Sequence, residues 1–168
     1  MNYMNIEYNC FNCGDGVSVN LFVSGCDLHC PGCHNSDAQN FLAGQPFTNE
    51  TVDNIIEGLH ANGVSRNLSI MGGEPLHHSN QLGINYLIHC VKKESPQTPI
   101  YLWTGYTFEY LFNLNNPVID YILQNIDYLI DGPYIQEERD ISLKWRGSAN
   151  QRIFDKEKIL LYYKRKGR

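Results

Sequence analysis

Ser24-Gly25-Cys26-Asp27-Leu28-His29-Cys30-Pro31-Gly32-Cys33-His34-Asn35 is the stretch from which the rest of the chain is read. Three cysteines stand at spacings of four and then three, directly after an apolar, β-branched run. Thiolates are the usual protein ligands of iron–sulfur clusters, and clustered cysteines in an intracellular chain point to metal before disulfides. The competing reading is a structural zinc site with His29 or His34 as fourth ligand. Ligand softness and spacing favour the cluster, since a zinc knuckle pairs two CxxC-like hooks and a second strong hook is not evident. Three thiolates on a cubane leave one iron open to a substrate.

Bulk properties frame that loop. A chain of 168 residues, 42% apolar and 18% charged, is expected to fold as one domain with a substantial core. Met1-Asn2-Tyr3-Met4-Asn5-Ile6-Glu7 lacks the basic start and apolar stretch of a signal peptide. No run of about 18 apolar residues suggests a membrane span. A reducing, cytoplasmic setting is therefore expected. The net charge of −5 is unevenly spread: residues 1–84 hold eight acidic side chains and one basic one, Arg66, and residues 85–168 hold twelve basic and ten acidic ones. The chain closes on Lys164-Arg165-Lys166-Gly167-Arg168, read as a solvated, frayed tail or a docking patch for an acidic partner. The acidic balance and the lack of a recognition motif argue against nucleic acid.

The alternation at Val17-Ser18-Val19-Asn20-Leu21-Phe22-Val23 predicts a strand that feeds into the cysteine loop. Thr48 is a candidate N-cap for a helix to His60, with Val52, Ile55, Ile56 and Leu59 on one face. Asn67–Met71, Pro99–Thr104 and Tyr128–Asp131 read as further strands, and 80–93 as a helix faced by Ile84, Leu87, Ile88 and Val91. Residues 108–112 and 118–124 are short helical candidates. Strands alternating with helices over short connections predict an α/β domain with a parallel, helix-covered sheet. Its chemical groups are expected at the carboxyl ends of the strands. Four or five such strands are too few to close an eight-stranded barrel.

Gly72-Gly73-Glu74-Pro75 follows the second of these strands. Two glycines let backbone approach a ligand closely, and a carboxylate accepts hydrogen bonds from an ammonium group. Alone, such a turn most often only ends a strand. Beside a three-cysteine loop, it resembles the amino-acid clamp of the radical S-adenosylmethionine superfamily. Gln45-Pro46-Phe47-Thr48, Gly72-Gly73-Glu74-Pro75-Leu76-His77, Trp103-Thr104-Gly105-Tyr106, Leu129-Ile130-Asp131-Gly132-Pro133 and Trp145-Arg146-Gly147-Ser148-Ala149-Asn150-Gln151-Arg152 then appear in order. With Cys-Pro-Gly-Cys-His-Asn, they resemble the activating proteins of anaerobic ribonucleoside-triphosphate reductases, over about residues 2–154.

The resemblance implies a single-domain, incomplete β/α barrel of mostly parallel strands, with its core at about 15–154 and a basic tail at 155–168. It implies a 4Fe–4S cluster on Cys26, Cys30 and Cys33, with S-adenosylmethionine completing the open iron. Gly32, Cys33 and His34 are then placed along the nucleoside, and Gly72, Gly73 and Glu74 at the methionine end. Thr104 offers a hydroxyl to the ligand or, equally, to local backbone. The implied reaction is reductive cleavage of S-adenosylmethionine, and the resulting 5′-deoxyadenosyl radical removes hydrogen from a glycine of the large reductase subunit. The implied electron donor is a small reduced flavoprotein.

Two features depart from the family pattern. His34 stands where the family often has a tyrosine, and Asp15-Gly16-Val17-Ser18-Val19-Asn20 lacks the usual Gly-Pro-Gly and arginine. Cys10 and Cys13 are extra thiols without a matching pair, and Cys90 falls near an apolar helix face. His77 and His78 are expected as polar loop residues, His60 and His89 on helix surfaces. Asp131 sits at a strand end facing the expected mouth, with no catalytic role assigned. Trp145-Arg146-Gly147-Ser148 is either a turn with Arg146 in a structural ion pair or a surface that receives the reductase. The rival functions are a radical S-adenosylmethionine enzyme for a small molecule of the 7-deazaguanine kind, and a non-catalytic module stabilised by zinc or a cluster.

Overall fold

The alternating runs form strands whose odd positions and even positions face different worlds. A computed structural model describes all residues, Met1–Arg168. In chain order the elements are β1 (Asn2–Cys10), β2 (Ser18–Val23), β3 (Gln45–Pro46), α1 (Asn49–His60), β4 (Asn67–Gly72) and α2 (Gln81–Glu94). They continue with β5 (Ile100–Trp103), α3 (Phe108–Asn113), α4 (Pro117–Asn125), β6 (Tyr128–Asp131), β7 (Arg152–Asp155) and α5 (Lys156–Arg165). One open, seven-stranded sheet runs in the order β3-β1-β2-β4-β5-β6-β7. Its centre, β2-β4-β5-β6, is parallel, and β1, β3 and β7 pair antiparallel at the edges. No helix is long and apolar enough to cross a membrane.

One face of the sheet carries Val19, Leu21, Val23, Leu68, Ile70, Ile100, Leu102 and Leu129, all fully buried in the main apolar cluster. The helices supply its other half, through Val52, Ile55 and Leu59 of α1 and Ile84, Leu87, Ile88 and Val91 of α2. Burying each such side chain favours folding by about 1.5–3 kcal/mol. Thr48 caps α1 in a reciprocal box with Thr51, which contributes about 1 kcal/mol.

The opposite face is polar and aromatic. Ser69 donates to the Cys13 carbonyl, and the Tyr101 hydroxyl accepts from the Asp15 N–H at 3.3 Å. Gly14 lies against the Tyr101 ring, where a Cβ would meet ring carbons at 3.0–3.3 Å. The Trp145 ring meets Tyr101 and Tyr128 edge-on at 4.9 and 5.3 Å. Residues 13–16 and Trp145 thus cover the amino-terminal half of this face.

The edge strands β1, β3 and β7 and the closing segment differ from the sequence expectation, which placed only the four central strands. Residues 2–10 form a strand that sequence reasoning did not register. Register shifts between Tyr3 and Asn5 and between Glu7 and Cys10 break its period of two, so no alternation is visible. The closing basic segment is helical and docked rather than frayed. Ile159 and Tyr163, one turn apart, enter the core; the Tyr163 hydroxyl donates to Asp120 at 2.6 Å, and Arg168 pairs with the same carboxylate.

Asp131, placed by sequence at the site mouth, is fully buried instead. Its carboxylate accepts from the Phe108 N–H at 2.7 Å, at the start of α3, and from Arg152, which also grips Glu109. That fork holds Glu109 below the usual carboxylate range and raises Arg152 further. Asp131→Ala is expected to lower unfolding stability by about 2–3 kcal/mol in urea, since it leaves the buried Phe108 N–H without its acceptor and Arg152 with Glu109 as its one remaining carboxylate. Glu109→Ala, on the exposed limb, is expected to cost less than about 1 kcal/mol.

Candidate active site

The cysteine loop leaves the carboxyl end of β2 and closes on itself. Gly25 N–H donates to Ala38 O at 2.7 Å and Cys26 N–H to Gln39 O at 3.1 Å, so residues 26–37 form a looped-out lobe. Gly25 has φ 93°, and a Cβ there would strike the Phe41 ring at 2.1 Å. Within the lobe, Cys33 N–H bonds Cys30 O at 3.1 Å across Pro31 and Gly32, with Gly32 at φ 69°.

The Gly72–Glu74 turn locks onto this loop. Gly73 N–H donates to Val23 O and Glu74 N–H to Gly25 O, both at 2.8 Å. A Cβ on Gly73 would lie 2.5 Å from the Gly25 oxygen, so this approach needs a glycine. Asn80, 1% exposed at the start of α2, completes the lock: its amide donates to Ser24 O and Glu74 O, both at 2.9 Å. The Gly73 carbonyl accepts no hydrogen bond within the chain.

Glu74 is wholly buried. One carboxylate oxygen accepts from Leu76 N–H at 2.9 Å and the Thr104 hydroxyl at 2.7 Å, the other from Gly105 N–H at 2.7 Å. Burial pushes its carboxyl up to about 7, against the pull of these donors. Thr104 has no free proton, and its oxygen also accepts from Tyr106 N–H at 3.1 Å. The hydroxyl therefore acts through Glu74, joining the ends of β4 and β5.

Around this lock lies a cavity of about 650 Å³, walled by Cys26, Cys30, Gly32, Cys33 and His34 on one side and by Gly72, Gly73, Glu74 and Thr104 on another. Every site residue read from the sequence reaches this one space. Met71 and Trp103 floor it from the second face of the sheet, and residues 134–151 close its far wall. No three His, Cys, Asp or Glu side chains converge tightly enough to enclose a single ion. Cys26, Cys30 and Cys33 instead share the wall of the one cavity, and three soft thiolate donors suit an iron–sulfur cluster. Burial pushes the Cys26 thiol up to about 11, with Glu74, Cys30 and Asp27 adding to the rise. A cationic iron centre reverses that balance.

Other expectations fare differently. His77 is buried, not a polar loop residue: its ring packs on Phe41 at 4.6 Å and stands 3.7 Å from Asp27, and burial lowers its pKa. Arg146 forms no ion pair; it borders the cavity and donates to Gln151 O at 3.1 Å. Cys10 and Cys13 stay outside the cavity, though Asn12 between them reaches it, and Cys90 packs partly buried against the core. Asn80 was read only as a helix start. A buried Asn six residues after Glu74 leaves no periodic mark in a sequence.

The chain is similar to known proteins over most of its length. A family model described as a 4Fe-4S single cluster domain matches residues 12–154. The chain is 42% identical to a Vibrio cholerae protein over 83% of this chain and 88% of that one. A Haemophilus influenzae protein is 40% identical over 91% and 97%, and one from Enterobacteria phage T4 is 40% identical over 92% and 94%. All three are named anaerobic ribonucleoside-triphosphate reductase-activating protein. The chain belongs to this reductase-activating family.

For a member of that family, the loop-to-turn lock is the feature most exposed to mutation. Asn80→Asp sets a carboxylate against two buried carbonyls, and is expected to lower stability by about 2–3 kcal/mol and to impair iron retention by the loop. Urea unfolding and iron content after anaerobic reconstitution check both. The raised Glu74 pKa also has a sign. Its stabilising effect is complete below about pH 4.5 and is withdrawn as pH rises through about 7. The stability gap between wild type and Glu74→Gln in the metal-free protein is therefore expected to be larger at pH 5 than at pH 8. A gap that widens toward pH 8 contradicts this.

Proposed function

We propose that this chain activates an anaerobic ribonucleoside-triphosphate reductase by installing a glycyl radical on its large subunit, as a radical S-adenosylmethionine enzyme. The observation that carries the reading is the lock itself: a three-thiol lobe and a Gly-Gly-Glu turn held in fixed register around one cavity, in a chain of the activating family. On this reading the whole chain, 1–168, is one activase domain. The sheet with its cavity-bearing face forms the concave side of an incomplete β/α barrel.

Cys26, Cys30 and Cys33 would hold the 4Fe–4S cluster. When bound, the cluster supplies one low-potential electron that splits S-adenosylmethionine into methionine and a 5′-deoxyadenosyl radical, which takes hydrogen from a glycine Cα of the reductase. The chain's residues bind and align. The unpaired Gly73 carbonyl at the cavity edge is a ready acceptor for the methionine ammonium, and the Glu74 carboxyl, tied to Leu76, Thr104 and Gly105, fixes that turn in place. Gly32, Cys33 and His34 line the nucleoside side; His34 is exposed there and offers a ring for stacking. The tie of Glu74 to Thr104 and Gly105 stops the β4 and β5 ends from drifting, so reacting atoms keep one alignment. The electron donor is a low-potential carrier such as a reduced flavoprotein. Six free cysteines suit a reducing cytoplasm.

The decisive experiment is anaerobic incubation of the cluster-loaded chain with reductant, S-adenosylmethionine and the large reductase subunit, read by electron paramagnetic resonance. A glycyl radical doublet is expected, and its absence with an intact cluster sinks the proposal. Cys26→Ala, Cys30→Ala or Cys33→Ala is expected to abolish S-adenosylmethionine cleavage, and Cys90→Ala to leave it within about twofold of wild type.

A further inference from the structure

We propose that Cys10 and Cys13 are a dithiol modification site, closed to a disulfide by a small-molecule disulfide of the glutathione class, and that closure displaces Asn12 at the cavity edge and slows activation. The effect on activation rests on the function proposed above; the closure itself does not. The two are the chain's only closely spaced cysteines outside the cysteine lobe. Both thiols are free and half-buried, and they flank Phe11 and Asn12 in the bent segment that joins β1 to β2. A separation of three residues lets a bent chain bring two Cα atoms to the roughly 4.4–6.8 Å that a disulfide spans.

The surroundings of the pair are those of a reacting group rather than of packed side chains. A register shift between Glu7 and Cys10 ends the regular pairing of β1, with Asn9 at φ 63°. The Cys10 thiol there donates to the Glu7 carboxylate at 3.2 Å. The Cys13 thiol donates to Asn12 Oδ1 at 3.6 Å and lies beside Asn20, whose Nδ2 is buried without a partner. Both thiols feel the Glu7 charge, and Cys10 also feels Cys13. No three His, Cys, Asp or Glu side chains converge here to enclose an ion, so the group suits sulfur exchange better than metal binding.

The exchange takes two steps. Cys10, the shallower thiol, passes its proton to Glu7 as its sulfur attacks one sulfur of oxidised glutathione, and a glutathione thiolate leaves. Cys13 then attacks the Cys10 sulfur of the mixed disulfide and releases the second glutathione. The protein pair loses two electrons and two protons, and these end on the two glutathione thiols. Burial and the bond to Glu7 push the Cys10 thiol up to about 11, and burial raises Cys13. Little thiolate exists at neutral pH, so the bridge closes slowly; two poor leaving groups also make it slow to reopen.

The loop carrying the pair is tied down on both sides of Phe11 and Asn12. The Ser18 hydroxyl donates to Cys10 O at 3.3 Å, and the Ser69 hydroxyl donates to Cys13 O. Asp15 is held by the Tyr101 hydroxyl and by Lys144 at 3.0 Å. Phe11 and Asn12 between these ties are exposed, and Asn12 borders the cavity. A bridge draws the sulfurs away from Glu7 and Asn20, and the untied residues absorb the movement.

The test incubates the cluster-loaded chain anaerobically with oxidised glutathione, then quenches it with acid and an alkylating reagent. Cleavage before Asp15 isolates residues 1–14, which hold no other cysteine. By mass, this fragment is expected to lose two hydrogens and to regain them with dithiothreitol, and in Cys13→Ser to carry one glutathione on Cys10. With photoreduced flavin as electron source, the bridged chain is expected to form the glycyl radical on the large reductase subunit at least about fivefold more slowly. Dithiothreitol is expected to restore the rate, and the double variant Cys10→Ser, Cys13→Ser to keep its rate after the same glutathione treatment. A fragment that retains both thiols while Cys90 takes up glutathione overturns the inference, as does a closed bridge with an unchanged rate. If the reduced wild type forms no glycyl radical, the functional proposal falls, while the mass of fragment 1–14 still decides whether the dithiol closes.

Discussion

Two polar side chains at the end of β4 hold the site together. Asn80 donates both N–H groups to carbonyls of two different loops, and Glu74 gathers three donors from the ends of β4 and β5. Both residues are buried, so each missing partner would carry its full desolvation cost, and the arrangement is stable only when complete. A network of that kind has one good geometry. It gives the cysteine lobe, which has no regular structure of its own, the rigidity of the sheet beneath it.

The same strands serve two purposes because side chains alternate at a period of two. Valine, leucine and isoleucine on one face bury against the helices, while serine, asparagine, tyrosine and tryptophan on the other carry the cavity and its cover. Stability and chemistry thus occupy opposite sides of one sheet. The antiparallel edges extend this plan: β1 and β3 lengthen the side next to the cysteine loop, and β7 brings Arg152 to the buried Asp131. The polar face is held shut at its amino-terminal end by aromatic contacts between Tyr101, Tyr128 and Trp145, which leaves the carboxyl end open for ligand.

Much of this was legible in the residues. The helix over 49–60 with its Thr48 cap and the four central strands follow from local spacing, because short-range periodicity and turn chemistry act within a few residues, whereas the pairing of cysteine loop and glycine turn came from the family resemblance. β1 escaped because bulges erase its alternation, and α5 because a charge-rich ten-residue segment shows only two core residues, Ile159 and Tyr163.

By itself, the sequence determined the α/β class, the three-thiol loop, the Gly-Gly-Glu turn and the family to which they point. Only the tertiary structure decided what each polar group near them does. It turned Thr104 toward Glu74, drew Asp131 away from the mouth to Arg152, made Asn80 the clip between loops, and left Arg146 facing the cavity without a counter-ion. The physical reason is range. Apolar burial and backbone turns are written in neighbouring residues, whereas a buried polar group is satisfied by whichever partner the fold brings to it: thirty residues away for Thr104 and Glu74, fifty-six for Asn80 and Ser24.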